Sequence, residues 1–128
     1  MNTQTTAGIM ISVQAGYNSR LSHLEESAYV FEYHVEIQNS NPDSVQLLSR
    51  EWLIFDSLNL HSRIVGEGVV GEQPILSKGD NHHYTSYCEL KSDIGYMEGH
   101  YIFENLKTGH RFRVAIPRFY LYFPGKLN

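Results

Sequence analysis

Residues 29–39 read YVFEYHVEIQN, and this stretch decides the fold class. Apolar side chains alternate along it with the polar side chains of residues 32 to 38, and the apolar positions are Tyr29, Phe31, Tyr33, Val35 and Ile37. Successive side chains of a β-strand point to opposite faces, whereas a helix would distribute this pattern around its axis. The stretch therefore predicts a strand with one buried face and one exposed face.

The same alternation recurs near both ends of the chain. It runs through Ile9, Ile11, Val13 and Ala15 at one end and through Phe112, Val114 and Ile116 at the other. Pro117 follows and cannot donate to a strand ladder. Segments rich in Gly, Asn, Asp and Ser separate the apolar stretches about every ten residues, as in sandwiches and barrels. We expect an all-β, antiparallel β-sandwich of seven or eight strands, in a single domain over residues 1–128.

The segment VQLLSREWLIFDS at 45–57 has apolar residues at both parities. Either this strand is covered on both faces, or a β-bulge switches the phase of its alternation. We expect Trp52 to lie inside, because its neighbours at even spacing are apolar. The predicted core comprises Tyr29, Phe31, Tyr33, Val35, Ile37, Trp52, Val114 and Ile116. Helix is expected only at SHLEESAY, residues 22–29, and for no more than one or two turns.

Charge and hydropathy exclude several classes of function. The chain has 10 Lys and Arg against 14 Asp and Glu, a formal charge of −4. Nonspecific binding to nucleic acid or anionic lipid requires clustered Lys and Arg, so we expect neither. No apolar run approaches the roughly 20 residues that cross a bilayer, and the polar start MNTQTTAG does not resemble a signal peptide. These features favour a cytoplasmic protein without membrane insertion.

The single cysteine, Cys88, has no partner for an intrachain disulfide, as is usual in a reducing compartment. A nucleophilic cysteine needs a neighbouring base and an exposed, electropositive setting. His82 and His83 are near in sequence, but consecutive residues of a strand point to opposite faces. We expect Cys88 to be a small buried hydrophobe.

Five segments carry a resemblance to the ApaG family: VQLLSREWLIFD (45–56), GEGVVGEQP (66–74), YTSYCEL (84–90), GYMEGHY (95–101) and FRVAIP (112–117). The resemblance runs from about Ile9 to Leu121. It implies an immunoglobulin- or fibronectin-III-like sandwich. It also implies a link to cobalt and magnesium tolerance in bacteria, and a protein-binding role like that of the similar domain in eukaryotic F-box and polymerase-interacting proteins.

Three residues depart from the family pattern. Glu51 stands where a histidine is common, Tyr87 where a glycine is usual, and Tyr96 fills a variable position. The change at residue 51 argues against a metal-ligand role at that position in common with the family.

The glycines of GEGVVG have the spacing of a dinucleotide-binding motif, GxGxxG. That motif needs a helix after it to receive the pyrophosphate, and here Glu72, Gln73 and Pro74 lead into another apolar segment instead. Two interpretations remain. Gly66, Glu67, Gly68 and Gly71 could form a backbone N–H nest for phosphate or pyrophosphate, or they could shape an inter-strand loop. Carboxylates at 67 and 72 weaken the first interpretation.

Possible metal ligands lie along one face of the 29–39 strand. Glu32, His34 and Glu36 could hold Co²⁺, Zn²⁺ or Mn²⁺ weakly, and Glu98 with His100 could join them if their strand were adjacent. Alternating Glu and His is also typical of an exposed sheet face. The spacings of structural zinc sites are missing, so we expect no cofactor beyond a weakly bound divalent cation.

The favoured function is a noncatalytic binding module that contacts a protein partner through a sheet edge or the GEGVVGEQP end. Its link to cobalt and magnesium homeostasis would be indirect, because no segment can form a membrane pore. The alternative is a small-ligand binder of a divalent metal ion, phosphate or pyrophosphate. A nucleotide phosphohydrolase is the least favoured, because no acid–base pair can be named.

Overall fold

The computed structural model describes residues 1–58 and 60–127 and shows a protein built from strands. Asn59 and Asn128 lie outside the described residues. The described residues form nine strands, in chain order β1 (Asn2–Thr6), β2 (Ile9–Tyr17), β3 (Tyr29–Asn39), β4 (Val45–Asp56), β5 (Leu60–Glu67), β6 (Ile75–Leu76), β7 (Asn81–Leu90), β8 (Ile94–Asn105) and β9 (Arg111–Tyr122).

The strands form two antiparallel sheets packed face to face. The first has the order β1-β2-β3-β7, and the second has the order β5-β4-β8-β9, with β6 paired to β4. The prediction of an immunoglobulin-like antiparallel sandwich is confirmed. The described residues hold more strands than expected, because the polar N-terminal residues form β1 and two residues form β6. Neither segment has an alternating apolar pattern long enough to predict.

The core lies between the sheets and matches the predicted one at all but one position. Phe31, Tyr33, Val35, Ile37, Trp52, Val114 and Ile116 are buried. Tyr29 is only partly buried, because it packs at the margin of the core near the end of the sandwich. Of the expected helix at 22–29, a single 3₁₀ turn forms over Leu24–Glu26. No helix in the part of the chain that the structure describes is long and apolar enough to cross a membrane.

A β-bulge explains the double apolar parity of β4. The register against β8 shifts between Leu47 and Ser49. Val45 and Leu47 face the core before the shift, and Trp52 faces it after the shift. The second of the two interpretations, a change of phase, is therefore the correct one. The shift also places Arg50 at the inward parity of Trp52.

Pro117 does not end the last strand. The register of β9 against β8 changes between Ile116 and Phe119, where β9 is one residue longer than the stretch of β8 that it opposes. A bulge is a position at which a strand accommodates proline, because the ladder is already interrupted there. The strand continues to Tyr122, and Phe119 and Leu121 are buried beyond the bulge.

The two lateral sides of the sandwich differ. On one side β1 lies against β9, and Asn2 Nδ2 donates to the Arg118 carbonyl over 2.5 Å. On the other side β5 and β7 are the edges of their sheets, and a cleft of about 340 Å³ separates them. We call the first the closed side and the second the open side.

Candidate functional site

The cleft of the open side has an apolar floor and polar walls. Trp52, Ile54 and Met97 line its floor. The polar residues of its lining include Tyr33, Arg50, Ser62, Ser86 and Glu89. A concave apolar surface with a few polar groups is typical of a binding site.

The wall formed by β5 is an exposed edge strand. Residues 61–65 are exposed, so side chains on both of its faces reach solvent. Two of them are large and apolar: Ile64 is 45 % exposed and Val65 is 60 % exposed. Among the described residues β5 pairs with β4 alone. Its outer edge is therefore free to pair with another strand.

The direction of the β5 amides follows from one hydrogen bond. Gly68 N–H donates to the Leu48 carbonyl over 2.9 Å, in register with the β4–β5 ladder. Hydrogen-bonded pairs recur at every second residue of an antiparallel ladder. The N–H groups of Ile64 and Gly66 accordingly point to β4, and those of Arg63 and Val65 point outward.

The GEGVVG segment closes in a tight turn directly after β5. Val69 N–H donates to the Glu72 carbonyl over 2.8 Å, and Glu72 N–H donates back over 3.0 Å. The two residues between them have positive φ, 47° at Val70 and 78° at Gly71, as a type I′ turn requires. Gly66 lies within β5 and not in the turn, so the turn does not explain why this position is a glycine. The turn uses the N–H groups of Val69 and Glu72 internally, and the anion nest at Gly66, Glu67, Gly68 and Gly71 stays a prediction.

The same segment accepts hydrogen bonds from the guanidinium group of Arg50. Arg50 Nη1 donates to the carbonyls of Glu67 and Gly68 over 2.9 and 2.8 Å. A Cβ on Gly66 would lie 3.0 Å from the two terminal guanidinium nitrogens, so a glycine makes room for this side chain. Within the described ranges, 1–58 and 60–127, no carboxylate forms a salt bridge with Arg50. The sequence analysis did not single out Arg50. The signal that could have found it is its even spacing from Trp52, which places both residues on the inward face once the bulge is known.

Burial controls the two ionisable groups of the cleft interior. It raises the pKa of the Cys88 thiol to about 12, and the charges of Asp56 and Glu89 act in the same direction. It also raises the pKa of Tyr33, against a hydrogen bond from Ser86 and the nearby Arg50 charge. Cys88 is 6 % exposed, which confirms the expectation of a buried hydrophobe.

Comparisons with known proteins agree with this geometry. A family model described as the ApaG domain matches residues 19–105. The chain belongs to the ApaG family. It is 42 % identical to Protein ApaG of Mesorhizobium japonicum, over 98 % of this chain and 95 % of the relative. It is 40 % identical to Protein ApaG of Proteus mirabilis, over 97 % of this chain and 98 % of the relative. A crystal structure of a Bordetella pertussis protein superimposes with a TM-score of 0.86 at 37 % identity, covering 91 % of this chain and 94 % of that one.

The ApaG match includes the whole of the cleft. Strands β3, β4, β5 and β7 all lie within the matched residues, as do Arg50 and the GEGVVG turn. The closed side differs, because β1 and β9 lie outside the match.

Two of the departures from the ApaG pattern lie on the outer face of the second sheet. Glu51 Oε1 accepts from Arg63 Nε over 2.7 Å, and Glu51 Oε2 lies 3.5 Å from His100 Nδ1. The ring of Tyr96 stacks on Phe55, and the Arg118 guanidinium lies 4.0 Å above it. Burial, aided by the charge of Arg113, lowers the pKa of His100. The third departure, Tyr87, is 54 % exposed at the mouth of the cleft.

The suggested metal ligands lie on the outer face of the first sheet. His34 Nδ1 is 3.0 Å from Thr85 Oγ1, and His34 Nε2 is 3.2 Å from His83 Nδ1. In the described part of the chain no three His, Cys, Asp or Glu side chains converge to hold a metal ion. Glu98 and His100 do not join Glu32 and His34, because β8 lies in the other sheet. A metal site at Glu32, His34 and Glu36 stays a prediction.

Other polar residues hold the fold. Asp56 is 5 % exposed and accepts hydrogen bonds from Ser92 Oγ, Lys91 N–H and Leu58 N–H. Burial raises its pKa, but these bonds outweigh burial and the net pKa is lowered. His82 is partly buried beside Glu72, whereas His83 is exposed beside His34, so the two histidines face opposite ways as expected.

Proposed function

We propose that this ApaG-family chain is a noncatalytic protein-binding module that adds an extended segment of a partner to the free edge of β5. The observation that carries the proposal is the exposure of β5 on both faces beside an open cleft. Main-chain hydrogen bonds to such an edge supply affinity, and pockets for alternate side chains supply specificity.

The edge strand β1 on the closed side is less suited to this role. It is short and polar, and it is backed by β9. Natural edge strands are commonly blunted by proline, bulges or free charges. Strand β5 has no proline, and the Arg63 guanidinium is paired with Glu51. The central part of β5, residues 62–65, therefore has no proline and no unpaired charge to oppose the pairing of another strand, and Glu67 lies at the end of the strand beside the turn.

The link to cobalt and magnesium tolerance that the family resemblance implies would act through the partner. We also place the protein in the cytoplasm, in keeping with its single cysteine and acidic composition. A partner that itself handles divalent cations would connect the two properties without an ion site in this chain.

The test compares two variants of one residue. Val65→Pro removes an N–H group that points away from β4, and Val65→Thr keeps that N–H with a side chain of similar size. Each protein is immobilised and exposed to native lysate, and the captured proteins are quantified by mass spectrometry. We expect partners held by the wild type and by Val65→Thr to be lost from Val65→Pro. The same captured set on all three folded proteins would contradict the proposal.

A further inference from the structure

The lining of the cleft repeats with the period of a strand. Strand β4 supplies its floor, and β5 lies beside it in register, with Gly66 opposite Arg50, Ile64 opposite Trp52 and Ser62 opposite Ile54. These pairs lie two residues apart and face inward. A segment added to β5 would present its own inward side chains at the same two-residue interval.

The inward-facing pairs of β4 and β5 end at Arg50, whose guanidinium forms no salt bridge within the described residues. Arg50 is half-buried, and the contacts that hold it are two carbonyl groups that its Nη1 reaches. A partly desolvated charge that is paired only with neutral groups favours a further anionic partner. The planar guanidinium also has Nη2 and Nε donors, which suit a carboxylate.

The charge of Arg50 reaches into the core. Burial raises the pKa of Tyr33 and of Tyr101, and in both groups the Arg50 charge opposes that shift. Glu89 also lines the cleft, but its carboxylate lies 2.8 Å from Lys91 Nζ and is already paired.

From this arrangement we infer that the cleft selects an extended segment with an acidic residue two positions from an apolar one. The acidic side chain pairs with Arg50, and the apolar side chain lies over Trp52 between β5 and β7. The inference rests on the proposed function, because it assumes that the segment pairs with β5. In this arrangement the GEGVVG segment has a role: the carbonyl groups of Glu67 and Gly68 orient Arg50 towards the carboxylate of the bound segment.

The test uses two capped peptides that differ only in whether one side chain ends in a carboxylate or in an amide. Both read KTVTXTVTK, where X is glutamate in one and glutamine in the other, so that valine flanks X at two-residue spacing in either direction. Binding is followed by the emission of Trp52, the single tryptophan of the chain. We expect the glutamate peptide to bind about ten- to a hundredfold more tightly, because its carboxylate forms charge-assisted hydrogen bonds.

Variants then assign this preference to Arg50. Arg50→Gln should bring the affinity ratio of the two peptides close to one. Arg111→Gln makes the same change of charge at an exposed site on β9 and should leave the ratio intact. Because Arg50→Gln also removes two loop contacts, Gly66→Ala provides a second variant, in which the added methyl displaces the guanidinium. It should weaken the glutamate peptide more than the glutamine peptide.

The outcomes separate the inference from the proposed function. Equal affinities of the two peptides, both lost in Val65→Pro, would overturn the acidic preference and leave strand addition at β5 in place. Failure of both peptides to bind would overturn both. Displacement of the glutamate peptide by inorganic phosphate at equal concentration would assign Arg50 to phosphate and contradict the carboxylate assignment.

Discussion

The two lateral sides of this sandwich differ in how the margin between the sheets is covered. On the closed side an extra strand, β1, covers the margin of the core, and Asn2 links it to the backbone of β9. On the open side no such strand is present in the described residues, and a cleft leads to Trp52 between β5 and β7. One side of the core is thus covered by an additional strand, whereas the other keeps a free strand edge beside a cleft, where we propose that a partner binds.

The largest expected effect concerns the floor of the open side. Trp52 is 3 % exposed and packs edge-on against Tyr33, Tyr101 and Phe119. Trp52→Ala should lower the free energy of unfolding by about 3–5 kcal/mol in urea melts, as truncation of core aromatics does. Tyr120→Ala, at a ring 56 % exposed on β9, should lower it by less than about 1 kcal/mol. Similar losses in the two variants would mean that the cleft floor is not part of the core.

The next effect concerns the turn that ends β5. Gly68 has a φ of 63°, and a Cβ there would lie 2.2 Å from the Glu72 carbonyl oxygen. Gly71 has a φ of 78° but no neighbour within 4 Å of such a Cβ. Gly68→Val should therefore destabilise the protein by about 2 kcal/mol or more, beyond the backbone strain that both variants share. Thermal melts that rank Gly71→Val as the worse variant would contradict this geometry.

A smaller effect appears at alkaline pH. The pKa of Cys88 rises from 9.0 to about 12 on folding, so the unfolded chain loses this proton first. Stability from Cys88 is complete below pH 9.0 and is lost as the pH rises towards 12. Between about pH 8 and pH 10, the wild type should lose about 1 kcal/mol more stability than Cys88→Ala. Parallel pH profiles from urea melts would show that the thiol is solvated in the native state.

The smallest expected change in stability distinguishes the outer edge of β5 from the edge that pairs with β4. Val65→Pro should change the free energy of unfolding by less than about 1 kcal/mol, because the lost N–H points outward. Ile64→Pro removes an N–H that points to β4 and should cost about 3 kcal/mol. The pair is measured by chemical denaturation, and equal losses would mean that the direction of the amides is not as described.

The sequence predicted the parts of the fold that have one buried face. Strand β3 was visible because Phe31, Val35 and Ile37 pack on the core while Glu32 and His34 face solvent. The double parity of β4 left two interpretations, and only the paired strand β8 revealed the bulge between them. The continuation of β9 beyond Pro117 could not be predicted, because sequence cannot show that a bulge already interrupts the ladder there.

The candidate site was harder to predict for a physical reason. Strand β5 reads LHSRIVGE, and its residues 61–65 are exposed on both faces, so no buried face imposes an alternation on them. The glycines of GEGVVG were visible, but their partner was not, because Arg50 meets them across a strand pair. Residues of the proposed binding site thus show less of a sequence pattern than residues that pack in the core.

Amide hydrogen exchange of the native protein tests the free edge of β5 most directly. We expect the amides of Arg63 and Val65 to exchange at nearly unprotected rates, whereas those of Ile64 and Gly66 are protected by their bonds to β4. Amides of the central strand β8 provide the protected reference within the same sample. Equal, strong protection at residues 63 to 66 would show that the outward N–H groups of β5 are already paired and that this edge is not free.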